Sequence, residues 1–363
     1  MLGLMMESNL LISSILKHAD STFGEREIVS VTVDNPLHRY SYADCFRRTR
    51  QLANSLDKLG LKQGDRVATL AWNDYRHLEA YYAISGAGYV CHTVNPRLFP
   101  EQIVYIINHA EDKWIFVDPL VLPILENVAG QLDQVEGYII MTDDENMPET
   151  NLAKAVSYES FIGSESEEYD WPDFDERSAA GLCYTSGTTG NPKGVLYSHR
   201  SSVLHGYAAV SPDVMNLGSL DCVLPVVPLF HVNAWGVPYA ALIAGSKLVF
   251  PGPKMGDGET LYNLIEQEAV SLSLGVPTVW LTLLQYADSV GKKLEKLDRT
   301  IIGGAAVPET MIRQFRDKHD VDVIQGWGMT EMSPLGTVSK PKSGMEDMTD
   351  DEMVALKAKQ GRK

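Results

Sequence analysis

Short runs rich in β-branched residues alternate along this chain with segments of helical periodicity, and no other feature constrains the fold as tightly. The strand candidates are EIVSVTV (27–33), RVATLA (66–71), WIFV (114–117), GYIIM (137–141), GLCYT (181–185), KLVF (247–250), SLSLGV (271–276) and TIIGG (300–304). The helices between them mark their own ends. Ser41 is placed to cap a helix carrying Phe46, Leu52 and Leu56 that stops at Gly60. Pro100 opens a helix with Ile103, Ile106 and Ile107 on one side, and Pro308 opens another. Strands separated by helices of this length build βαβ units, which predicts an α/β protein with mainly parallel sheets. At 363 residues the chain exceeds one ordinary core. The expected division is a first α/β lobe over 1–175, a second over 176–340, and the start of an incomplete third lobe at 341–363.

The acidic stretches SESEEYD (164–170) and DFDER (173–177) read as a solvated connection between the two lobes. Lys and Arg number 31 against 48 Asp and Glu, a net charge of −17 that repels nucleic acid and anionic lipid. An anionic ligand would have to be held by local donors. Cys45, Cys91, Cys183 and Cys222 form no CxxC pair and have no histidine at zinc-ligand spacing, so they read as buried thiols in a reducing compartment. The N-terminus lacks a basic n-region, and no run approaches the roughly 20 apolar residues of a membrane span. A cytoplasmic protein without a transmembrane segment is expected, its N-terminal NLLISSILKHA forming an amphipathic helix that docks on something.

TSGTTGNPKG follows the GLCYT strand. It offers Gly187, Gly190 and Gly194, hydroxyls at Thr185, Ser186, Thr188 and Thr189, and the cation of Lys193. Glycines free the backbone N–H groups to point inward and hydroxyls add donors, as a phosphate loop requires. No Walker A pattern can be read here or elsewhere. Spacing alone leaves a phosphate loop and a plain polar turn both open.

The order of residues goes further. YTSGTTGNPKGV followed by SH resembles the phosphate-loop signature of the adenylate-forming (AMP-binding) superfamily, which includes acyl-CoA synthetases, aryl-CoA ligases, luciferases and amino-acid-adenylating domains. Three segments support it in the family's order: PLFHVNAWG (228–236), IIGGAAVP (301–308) and QGWGMTE (325–331), with Trp327 where tyrosine is commoner. The resemblance covers essentially the whole chain. It implies two mainly parallel lobes of an acyl-CoA synthetase-like large N-terminal domain, without the family's third lobe and small C-terminal domain.

By that resemblance, Thr185, Ser186, Gly187, Thr188, Thr189, Gly190 and Lys193 would wrap the ATP phosphates, and Thr330 would reach the α-phosphate. Glu331, assisted by Thr185, would bind Mg²⁺. Gly304, Ala305, Gln325, Gly326, Trp327, Gly328 and Met329 would border the nucleotide. His231, Val232, Trp235, Gly303 and Gly304 would border the acyl group, with Lys193, His231, Thr330 and Glu331 closest to the chemistry. The segment after His231 contains no carboxylate to pair with a substrate ammonium, which argues against an amino acid. The run HVNAW most resembles the medium- and long-chain fatty acyl-CoA synthetases, where a tryptophan here closes the acyl tunnel. Trp235 and Tyr239, spaced i and i+4, are equally readable as the core face of a helix. A fatty acid, ATP and CoA are the implied substrates. Aryl acids, short sulfur-containing acids and a non-catalytic ATP-binding role stay open. That branch of the family is often dimeric through its N-terminal segment, and NLLISSILKHA is compatible with a homodimer or with packing on its own chain.

Overall fold

The computed structural model describes residues 1, 3–185 and 190–362. In chain order β1 (Glu27–Ser30) and β2 (His38–Ser41) form a hairpin, followed by β3 (Arg66–Leu70), β4 (Val90–Thr93), β5 (Trp114–Val117), β6 (Gly137–Ile140) and β7 (Ala155–Ser157). Then β8 (Ala179–Thr185) and β9 (Lys193–Ser198) flank the glycine-rich loop. The remaining described strands are β10 (Cys222–Pro225), β11 (Lys247–Phe250), β12 (Leu272–Gly275), β13 (Arg299–Ile302), β14 (Asp322–Gly328) and β15 (Leu335–Val338).

They assemble into two sheets. One has seven strands in the order β7-β6-β5-β3-β4-β8-β9, and the other eight in the order β15-β14-β13-β12-β10-β11-β1-β2. Pairing is parallel except at β1–β2, β8–β9 and β14–β15. The fold is thus mixed α/β with two mainly parallel sheets, and it rests on strands buried on both faces: β4, β5, β6, β10 and β12 are buried at every residue.

The sheets do not follow the cut expected near residue 175. The β1–β2 hairpin pairs with β11 (Ile28 opposite Leu248), which carries an N-terminal segment into the second sheet. Conversely β8 pairs with β4 (Cys91 opposite Gly181), so the glycine-rich loop hangs from the first sheet. Strand pairing is a non-local choice that composition along the chain does not report.

The helix starts fall where sequence placed them. Ser41 caps Tyr42–Asp57 in a reciprocal capping box with Asp44, and Pro100 opens Pro100–Ala110. Thr349 and Glu352 cap Asp350–Lys357. The N-terminal helix Ile12–Phe23 buries Ile12, Ile15, Leu16 and Ala19 against its own chain, on the helices Tyr75–Gly86 and Val237–Ala244.

The acidic stretch is not a free connection. Lys58 pairs with Glu165 at 2.7 Å, Arg50 donates to the Glu167 carbonyl at 2.6 Å, and Asn54 reaches the Ser166 and Glu168 carbonyls, each at 2.9 Å. Cations on the outer face of Tyr42–Asp57 hold it down, and Trp171 covers Gly86. The four cysteines are free and buried. Among the described residues no helix is long and apolar enough to cross a membrane.

Candidate active site

The site forms where the second sheet's strand ends face the hairpin of the first. Between β10 and the helix Val237–Ala244 the chain turns through PLFHVNAWG, and this turn is left-handed. Val232, Asn233, Ala234 and Trp235 have φ of 44°, 51°, 44° and 56°, and Gly236 follows at 81°. A left-handed turn of L-residues costs roughly 1–2 kcal/mol per residue and persists only where the surroundings over-determine it. Here they do. The Asn233 amide oxygen accepts from the Tyr81 hydroxyl (3.3 Å) and the Cys183 thiol (3.6 Å), and the Ala234 N–H reaches the Pro228 carbonyl at 3.2 Å. Gly236 is required twice over, by its φ and because a Cβ there would lie 2.4 Å from His205 Nδ1.

The turn separates two residues that helical spacing would keep together. The α-helix begins only at Val237, so Tyr239 sits in the core beside Tyr81 and Tyr82. Trp235 is half-buried, and its indole lies across Gly303, where a Cβ would meet the ring at 2.9 Å. Tyr239 is therefore core and Trp235 lines a cavity.

That cavity measures about 210 Å³. Its walls are His231, Val232 and Trp235 from the left-handed turn, Gly304 from the turn after β13, and Gly326, Trp327, Gly328, Met329 and Thr330 from β14 onward, closed by Pro334 and Leu335. Residues from three separate sequence motifs thus share one enclosure. Trp327 is 38 % exposed, an open aromatic surface whose ring lies over Gly336, where a Cβ would meet it at 2.9 Å. The imidazole of His231 is open to the cavity, yet the protein packed around it pushes its pKa below the ordinary histidine value. It is neutral near pH 7.

Other expected residues take supporting positions. Gln325 is buried, and its Oε1 accepts the Val307 N–H at 3.2 Å, which steadies the turn carrying Gly304. Gly303 is beneath Trp235, and Ala305 is exposed beyond the wall. Glu331 is exposed in the short turn Thr330–Met332. Thr185 and Lys193 pair across the base of the hairpin, and the Thr185 hydroxyl donates to the Lys193 carbonyl at 3.4 Å. Gly190 is exposed with φ 146°. Ser186, Gly187, Thr188 and Thr189 lie outside the described residues.

Two neighbours went unnoticed in the sequence. Asn73, fully buried at the end of β3, donates to the Pro225 and Val227 carbonyls (3.0 and 2.8 Å) and accepts the Leu229 N–H (2.7 Å), clamping the approach to His231 from the other sheet. His205 accepts the Leu335 N–H at 3.3 Å, and burial pushes its pKa down to about 4. His199, part of the loop signature, does not face the cavity: its Nδ1 accepts the Ile12 N–H at 3.2 Å and holds the N-terminal helix. A second cavity of about 440 Å³ reaches His231 from the far side, between Asn95 and Arg97 of the first lobe and Phe230, Val276 and Thr278 of the second.

Comparison with known proteins decides the family. The AMP-binding enzyme model matches residues 16–360.

The chain belongs to the AMP-binding enzyme family.

Among curated relatives, this AMP-binding enzyme is 50% identical over its full length to a medium-chain-fatty-acid–CoA ligase of Ectopseudomonas oleovorans, covering 66% of that protein. It is 49% identical to a 3-methylmercaptopropionyl-CoA ligase of Ruegeria lacuscaerulensis, of which it covers 67%. It is 46% identical over 98% of its length to a long-chain-fatty-acid–CoA ligase of Thermus thermophilus, covering 64% of it. The chain thus spans about two thirds of the length of these relatives. In solved structures the fold matches an anthranilate CoA ligase bound to anthranoyl-AMP, with TM-score 0.85, 19% identity, and 98% of this chain on 65% of that one. It also matches a long-chain-fatty-acid-CoA ligase of Archaeoglobus fulgidus, with TM-score 0.82, 20% identity, and 98% of this chain on 69% of that one.

No group of three or more metal-ligating side chains occurs among the described residues. Glu331 and Thr185 offer a carboxylate and a hydroxyl, hard oxygen donors of the type that Mg²⁺ takes.

Proposed function

We propose that this chain carries the adenylating site of a fatty acid–CoA ligase: a carboxylic acid and ATP give an acyl-adenylate and pyrophosphate, and CoA then gives acyl-CoA and AMP. The observation that carries the reading is the shared cavity of His231, Trp235, Gly304, Trp327 and Thr330, which sets a hydrophobic wall, an aromatic surface and a hydroxyl around one space. The medium- and long-chain relatives support the acid class.

A carboxylate is a poor acyl donor because oxide would have to leave. When its oxygen attacks the α-phosphorus, pyrophosphate departs and the acyl group gains AMP as a good leaving group. A thiol sulfur then attacks the acyl carbon, and AMP takes the bond electrons away. The protein's share is positioning and charge stabilisation. In this reading Trp327 stacks on the adenine, bordered by Gly304, Ala305, Gly326, Gly328 and Met329. Thr330 donates to the α-phosphate, while Lys193 and the hydroxyl-rich loop from Thr185 to Gly190 take the β- and γ-phosphates. Glu331 with Thr185 would hold Mg²⁺, which supplies charge neutralisation between phosphate oxygens when bound. His231, neutral, packs against the carboxylate without adding a second charge. The second cavity, which shares His231 with the first, is the route proposed for the thiol.

A short sulfur-containing acid is the second reading, favoured by the modest volume closed off by Trp235 and by the 3-methylmercaptopropionyl-CoA ligase relatives. Acid-dependent ATP–pyrophosphate exchange separates them, run on this chain and on a longer form where the gene encodes one. The panel runs from acetate to hexadecanoate and adds methylthiopropionate and benzoate. Exchange that rises with alkyl length supports the fatty-acid reading. Exchange with methylthiopropionate alone moves the assignment, and MgATP binding without exchange on any acid leaves a nucleotide-binding module.

A further inference from the structure

The glycine-rich hairpin and the Thr330–Glu331 turn belong to different sheets, so no shared strand ladder holds one against the other. One side chain does span the gap. Tyr197, on the strand leaving the loop, is 3% exposed, and its hydroxyl donates to the Thr330 carbonyl at 2.6 Å. The turn's own bonds are local: Met332 N–H to the Met329 carbonyl at 2.9 Å and Met329 N–H to the Pro334 carbonyl at 3.0 Å. Residues along β9 alternate faces, so Lys193 and Tyr197 share one side of the strand. Burial, with the Cys183 and Glu331 groups adding to it, pushes the phenol's ionisation above the ordinary tyrosine value, so the donor keeps its proton throughout the physiological range.

We propose that Tyr197 is a positioning residue for nucleotide binding, setting the Thr330 hydroxyl and Glu331 carboxylate at a fixed distance from the hairpin that carries Thr185 and Lys193. This rests on the site assignment above. It acts through the Thr330 carbonyl and touches neither phosphate nor metal. A phenol suits the task because it fills the buried space with a rigid ring and ends in one directed donor. Leucine or phenylalanine would pack there and leave the turn to its local bonds.

The test is a double-mutant cycle of MgATP binding by titration calorimetry on wild type, Tyr197→Phe, Glu331→Gln and the double variant. Tyr197→Phe keeps the ring and deletes the bond. It should weaken MgATP about ten-fold, and Glu331→Gln should then cost less in its background than in wild type. In acid-dependent exchange the same variant should raise KM for MgATP and leave KM for the acid unchanged. Wild-type affinity in Tyr197→Phe, or losses that simply add, would overturn the proposal. So would a Tyr197→Phe protein that no longer melts cooperatively, since the bond would then serve the fold. Absence of exchange in the wild type defeats the ligase reading alone, because MgATP binding still judges Tyr197. A wild type that binds no MgATP defeats both.

Discussion

Gly303 shows how little room a single position leaves. A Cβ there would lie 2.7 Å from the Gly326 carbonyl oxygen and 2.9 Å from the Trp235 ring, one a strand backbone and the other a wall of the cavity. Moving the indole relieves only the second contact, so the strand backbone at Gly326 must shift as well. Gly303→Ala is expected to displace Trp235 and lower kcat/KM for the preferred acid by about ten-fold, a loss on the scale of one to two kcal/mol. Steady-state exchange with acids of graded length checks it, and an unchanged profile would count against Trp235 as the cavity wall. The family was legible in the sequence because the order of the motif residues resembles its signature, and the AMP-binding model matches residues 16–360. Tyr197 and Asn73 were not. Each acts on a backbone group far away in sequence, and a hydrogen bond to a carbonyl leaves no mark on the residues that flank it.

At the scale of elements, the left-handed turn Val232–Gly236 and the segment before it are held from outside. Asn73 satisfies the Pro225 and Val227 carbonyls and the Leu229 N–H, all buried. Asn73→Ala would strand these groups and should destabilise the protein by about 3 kcal/mol, since each buried unsatisfied group costs about 1–3 kcal/mol and partial relaxation recovers some. Urea denaturation should show a lower midpoint at an unchanged slope. Helix starts were readable because capping is local: Ser41 meets Asp44 three residues on, and Pro100 needs only its own ring. Strands β4 (VCHT) and β10 (CVLP) were not, since a polar His-Thr pair in one and a proline in the other break the apolar run, and partners on both sides make them strands. The helical face drawn through Trp235 and Tyr239 failed for a related reason. In HVNAWG only Asn233 and the final glycine favour positive φ, and nothing marks Val232, Ala234 or Trp235 for it.

For the molecule as a whole, buried ionisable groups set how stability responds to pH. Burial holds His38, His77, His199 and His205 down to about 4, with Arg48 and Arg76 adding to the effect at His38. Each is neutral in the fold, while the unfolded chain takes up protons from about pH 6.5 downward. The stability they contribute is therefore present above pH 6.5 and lost as pH falls toward 4. Asp74 and Asp118 work the other way: burial raises them to about 7 and about 6, so their contribution is present below about pH 4 and fades as pH rises through those values. Burial also lowers His231 and His319 and raises Glu79 and Asp112, so six imidazoles stand against four carboxyls and the melting temperature should fall between pH 6.5 and 4. His77→Gln should flatten that slope in calorimetric scans, and an equal slope would refute the attribution. The α/β class, the capped helix starts and the family resemblance could be read along the chain, because periodicity, end signals and motif order act over a few residues. Folding alone brings β1–β2 into the second sheet, pins the acidic stretch to a helix, parts Trp235 from Tyr239 so that it lines a cavity, and lets Tyr197 reach across two sheets. Those outcomes depend on hydrogen bonds and packing between segments tens to hundreds of residues apart, and such partners exist only once the chain has folded.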